Sequence, residues 1–165
     1  MPTRALTELL RGKGAHVDPL ACIEDLPAEA ASQQVAGFPH SVSQIVFHMN
    51  YWMDYELQRI RGQKPQYPEH NAESFTTSTV NVHQWNQLTE RFAALLSEFA
   101  TLASSAPSEL DRQIQTVHEG DKKVAGTLEG VLWQMVAHNS YHAGQIAAVR
   151  RALGMWPPRS GGDTW

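Results

Sequence analysis

Apolar residues recur at steps of three and four along most of this 165-residue chain, the spacing that lines one face of an α-helix. The clearest stripe is Leu128, Val131, Met135, His138, His142, Ile146, Val149 and Leu153. Thr127 precedes it as an N-cap whose hydroxyl can accept from a free first-turn amide. Arg150 and Arg151 fall in the last turn, where positive charge suits the helix dipole, and Gly154 ends the pattern. This predicts a helix over 128–153. A second is predicted from Ser41, where Ser41 and Gln44 form an S-x-x-Q capping box. Its stripe runs Val42, Ile45, Met49, Trp52 and Ile60, and Gly62 before Lys64-Pro65 stops it. His48, three residues after Ile45 and four before Trp52, lies on the inner edge of that face. A third helix spans roughly 82–103, with Val82, Trp85, Leu88, Phe92, Leu95, Phe99 and Leu102 on one side and Asn81 or Thr79 as cap.

The N-terminal part is more broken. Leu6, Leu9 and Leu10 make a short amphipathic piece ended by Gly12 and Gly14, and Asp18-Pro19 reads as the start of another, with Leu20, Ile23 and Leu26 on its apolar face. Residues 63–78 are polar, carry Pro65 and Pro68, and read as a loop over the surface. Residues 104–126 contain a short alternation, Gln113 to Val117, that suggests a small hairpin. No repeat or linker divides the chain, so residues 1–165 read as one helical bundle domain.

Composition removes several classes of function. Thirteen Lys and Arg against seventeen Asp and Glu leave a net charge of −4, which argues against nucleic acid or an anionic membrane as partner. The longest apolar run, 92–96, is far short of the roughly 20 residues of a membrane span. The first eight residues lack the apolar core of a secretory signal, and the single cysteine, Cys22, cannot close an intrachain disulfide. A cytoplasmic protein is the expectation.

The chemistry lies in the histidines. His138 and His142 are four residues apart, about 40° around a helix axis and one turn along it, so their rings can converge. Both sit in the middle of the most apolar stripe, where an unpaired imidazole costs about 1–3 kcal/mol. A lone core histidine is usually satisfied by a backbone carbonyl or a carboxylate. Two on one face, with His48 on another helix's inner edge, fit a metal site better. Neutral imidazoles suit Zn, Ni, Cu and Fe(II), and three protein ligands leave room for water or substrate. The glutamate of the H-E-x-x-H metalloproteases is missing from His138-Asn139-Ser140-Tyr141-His142. Cys22 lies in an apolar run and reads as inert packing. His40, His70, His83 and His118 read as loop or helix-start residues, and His16 as a surface residue before a pocket one.

The segments Ser41–Trp52, with His48, and His138-Asn139-Ser140-Tyr141-His142-Ala143-Gly144-Gln145-Ile146 resemble the second-helix and last-helix signatures of the DinB-like (YfiT-like) metalloproteins. The tail from Trp156 to Trp165 is similar to tails of that family, and the likeness covers nearly the whole chain. The resemblance implies an all-α fold, an antiparallel four-helix bundle with long crossover connections, usually a homodimer. It also implies one divalent metal held by His48, His138 and His142. Relatives include thiol S-transferases that use bacillithiol, mycothiol or glutathione, and a maleylpyruvate isomerase.

The leading expectation is therefore a metal-dependent thiol S-transferase or hydrolase acting on a small molecule, with Zn, Ni or Fe as cofactor and a low-molecular-weight thiol as co-substrate. Gln145, two turns after His138, reads equally as pocket lining or as an exposed polar residue. Trp52 and Tyr141 read as aromatic walls or as packing, and Asp54 and Glu56 as solvated-face residues. The rival readings are a non-catalytic metal-binding or dimerisation bundle and a metal-free bundle with a buried polar network.

Overall fold

The computed structural model describes residues 2–75, 79–115 and 126–162. The described residues form helices α1 (Pro2–Leu10), α2 (Ala28–Ser32), α3 (Val42–Ile60), α4 (Val82–Ala103), α5 (Pro107–Leu110) and α6 (Leu128–Ala152), with 3₁₀ turns at Ala21–Ile23 and Asn71–Ser74; the short α2 and α5 match no stripe read from the sequence. The fold is all-α. The caps read from sequence are formed: Gln44 N donates to Ser41 Oγ while Ser41 N donates to Gln44 Oε1. Asn81 and Gln84 make the equivalent box on α4, and Gly130 N donates to Thr127 Oγ1 on α6. Each satisfies first-turn donors that would otherwise lack partners.

Helix α3 packs against α4 and α6, and α1 packs against the same two, so these helices surround one apolar core. Leu6 and Leu10, Met49 and Met53, Phe92 and Phe99, and Leu128 and Leu132 are fully buried there. Side chains of this size contribute about 1.5–3 kcal/mol each by leaving water.

Side-chain contacts fix the helix directions. Going along α3, Ile45 shares a small cavity with Gln145, His48 meets His138 and His142, Met53 meets Asn139, and the Ile60 carbonyl accepts from Arg112, which adjoins Leu128. Positions rise on α3 as they fall on α6, so this pair is antiparallel. On the other side Asn50 donates to the Leu88 carbonyl, Asp54 pairs with Arg91, and Arg61 pairs with Glu98. Here both rise together, so α3 and α4 run in the same direction. A parallel pair needs its chain carried back along the full helix length, which accounts for the long connection between residues 60 and 82.

Several expectations change. The helix expected at Asp18-Pro19 is reduced to turns, in which Leu20 N donates to Asp18 Oδ1 and a 3₁₀ turn follows. It cannot extend because the carbonyls of Cys22 and Glu24, which a helix would use internally, accept instead from the buried Arg150 guanidinium. The hairpin reduces to one antiparallel bridge, Gln113 with Thr127, and no strand forms among the described residues; residues 116–125 lie outside them. Val82 is 68% exposed, whereas Trp85 in the same first turn of α4 is buried. Glu56 is not a solvated-face residue: it is buried and paired with Arg59 at 2.7 Å. No helix among the described residues is long and apolar enough to cross a membrane.

Candidate metal centre

His48 comes from the middle of α3, His138 and His142 from successive turns of α6, and antiparallel packing puts all three at one level. One ring nitrogen of each lies within 4.8 Å of the others. His48 and His142 are buried and His138 is half-buried. Ring centroids are 5.2 Å apart for His48 and His138, 4.7 Å for His48 and His142, and 4.5 Å for His138 and His142.

The outer nitrogen of each ring has a partner. Ser74 Oγ, 2.7 Å from His48 Nδ1, donates its only proton to the Asn71 carbonyl at 2.6 Å. Toward His48 it can therefore only accept, so Nδ1 carries the proton and Nε2 is bare. His142 Nδ1 lies 2.6 Å from Gln145 Oε1, and His138 Nδ1 lies 3.3 Å from Asn139 Oδ1. Asn139 Nδ2 donates to Met53 Sδ, which turns the amide oxygen toward His138. Both amide oxygens are acceptors, so all three rings hold their proton on the outside and turn a bare Nε2 inward.

This arrangement tests the fit to a cation. The Nε2 atoms of His48 and His138 are 3.2 Å apart. Two bare nitrogens at that distance repel each other. Two nitrogens bound to one tetrahedral zinc at about 2.05 Å would lie about 3.3 Å apart. A metal-free hydrogen bond between the rings would instead require His138 to release its Nδ1 proton and face an amide oxygen with a lone pair. The residues fit a divalent ion, and fit a closed polar network poorly.

Electrostatics agree. Burial, followed by the imidazoles of His142 and His138, pushes His48 down to about 3. Burial and then His138 push His142 to about 4, and burial lowers His138. All three rings are thus neutral near pH 7, the form that ligates metal.

A family model, that of the DinB family, matches residues 3–162. The chain belongs to the DinB family. No curated protein and no solved structure matches it. Within this DinB-family chain the remaining expected residues take different places. Gln145 is half-buried, is the hydrogen-bond partner of His142, and lines a small cavity with His40 and Ile45. Trp52 is half-buried, its ring edge-on to His48 at 6.3 Å, and Tyr141 is 66% exposed, edge-on to His142 at 5.1 Å. His16 is drawn away to Ser140 Oγ at 2.7 Å on another face of α6. His70 and His83 are exposed, as expected, and His118 lies outside the described residues.

Sequence reasoning missed three contributors. Ser74 is fully buried, Phe75 stacks on His48 at 4.0 Å, and His40 stacks on the opposite side of Phe75 at 3.8 Å. Ser74 and Phe75 belong to the 63–78 segment, which is therefore not wholly a surface loop. The signal available was Phe75, the one phenylalanine in a mostly polar stretch.

Proposed function

We propose that this chain is an enzyme whose His48, His138 and His142 hold one divalent cation, Zn, Ni or Fe(II), and that it directs a thiol or a water onto a small electrophile as a thiol S-transferase or a hydrolase. The observation that carries this reading is the set of three inward, unprotonated Nε2 atoms with every Nδ1 proton held from outside. When bound, such an ion acts as a Lewis acid and lowers the pKa of a thiol or water. The chain's own residues prepare the site. Burial keeps the imidazoles neutral, while Ser74, Asn139 and Gln145 hold their orientation. Three protein ligands, with no carboxylate or thiolate completing the group among the described residues, match catalytic sites better than closed structural ones. Trp52 and Tyr141 supply apolar surface beside the cluster for the body of a substrate. A homodimer and a cytoplasmic location belong to the same reading.

Elemental analysis of protein purified without a histidine tag tests the metal. About one equivalent is expected, and His138→Ala should weaken affinity by more than tenfold, since even outer-shell losses reach about that size. Content that is substoichiometric and unchanged in the variant would defeat the metal reading. Thiol transfer to a chlorinated nitroarene, or to maleylpyruvate, tests the activity. It should vanish on chelation and return with metal. Indifference to both chelation and thiol identity would leave a non-catalytic metal-binding bundle.

A further inference from the structure

A hydrogen bond from a distant segment decides which nitrogen His48 offers. Ser74 ends the 3₁₀ turn Asn71–Ser74, 26 residues after His48, and is wholly buried against it. Its hydroxyl proton is committed to the Asn71 carbonyl, three residues back in the same turn. The turn thus makes Ser74 an obligate acceptor before it meets the ring. The next residue, Phe75, lies parallel to the His48 ring, 4.0 Å away with 9° between planes. His40 closes the stack from the far side at 3.8 Å and 8°. One contact selects the tautomer, and the other restrains rotation of the ring about its Cβ–Cγ bond.

We infer that Ser74 is a positioning residue of the candidate metal centre. It holds the His48 proton on Nδ1, so that a bare Nε2 faces His138 and His142, and Phe75 clamps the ring in that plane. The inference rests on the metal reading above. It adds that residues 71–75 form a strap which the cluster needs in order to be preorganised for a cation. A histidine side chain free in water favours the proton on Nε2, so without the strap His48 would have to change tautomer before it could ligate through the inward nitrogen. Comparable outer partners of ligating histidines are worth about 10–100-fold in metal affinity.

The test uses the full chain, ¹⁵N-labelled and stripped of metal, in wild type, Ser74→Ala and Ser74→Thr forms. Long-range ¹H–¹⁵N correlation spectra report the protonated nitrogen of each imidazole, and chelator competition gives Co²⁺ affinity. The expected result is an Nδ1–H tautomer for His48 in the wild type and release toward Nε2–H in Ser74→Ala, with 10–100-fold weaker Co²⁺ binding. Ser74→Thr, which keeps the hydroxyl, should restore the tautomer and bring affinity to within a few-fold. A wild-type His48 carrying Nε2–H overturns the inference. So does a Ser74→Ala protein that keeps the tautomer, or one that loses it yet binds Co²⁺ within twofold of wild type. A wild type that takes up no Co²⁺ defeats the metal reading instead, and the metal-free spectra still decide whether Ser74 sets the ring.

Discussion

Burial pushes the imidazoles of His48 and His142 down to about 3 and about 4, well below the usual histidine value of roughly 6.5. A histidine depressed on folding takes up its proton first in the unfolded chain. Metal-free protein should therefore lose stability as pH falls from about 6.5 toward 4, by up to about 1.4 kcal/mol per pH unit for each such ring. Urea titrations across that window measure it, and a flat profile would show that the rings are already charged or solvated. Burial also pushes the Cys22 thiol up to about 12, against the opposing pull of Arg150. Native protein at pH 8 should resist a disulfide reagent that reacts at once with unfolded protein; rapid native reaction would mean that the thiol is exposed. This inert reading of Cys22 was legible from its apolar neighbours. So was the convergence of His138 and His142, because i and i+4 geometry is local. The partners of their Nδ1 atoms were not, since whether Asn139 and Gln145 turn toward the rings depends on Met53 and on the packing of α3.

At the scale of elements, caps and stripes located α3, α4 and α6 to within a residue or two, because a capping box satisfies backbone groups wherever the helix later packs. Removing the Ser41 hydroxyl should cost about 1 kcal/mol in stability, seen as a lower Tm with the metal site retained; a change of less than a few tenths would mean that the box adds nothing to α3. Short segments were less readable. Asp18-Pro19 carries a good helix-start signal, but its continuation is decided by Arg150, more than a hundred residues away. The strap at residues 71–75 looked polar and exposed, because a two-residue contact has no periodicity to betray it.

For the whole molecule, the parallel run of α3 and α4 and the antiparallel run of α3 and α6 place metal-ligand candidates from distant parts of the chain at one level. Arg150, 2% exposed, ties the end of α6 to the N-terminal segment through the carbonyls of Cys22 and Glu24 and the Asp25 carboxylate, and also donates to the Met155 carbonyl just past the helix. Arg150→Met would leave buried carbonyls without donors and should destabilise the fold by about 3 kcal/mol in denaturant melts. A loss under 1 kcal/mol would mean that the tie is dispensable. Such long-range ties escape a sequence reading, which placed Arg150 only at a helix end. Its place in the last turn of α6 was read correctly, but not its burial.

The most direct test is a crystal structure of protein purified without a histidine tag, with X-ray fluorescence to name the element and an anomalous difference map to place it. The expected result is a single strong peak shared by the Nε2 atoms of His48, His138 and His142, with part of its surroundings open to solvent or thiol. Well-ordered rings with no peak, under conditions where the element is supplied, and with His48 and His138 hydrogen-bonded to each other through Nε2, would contradict it.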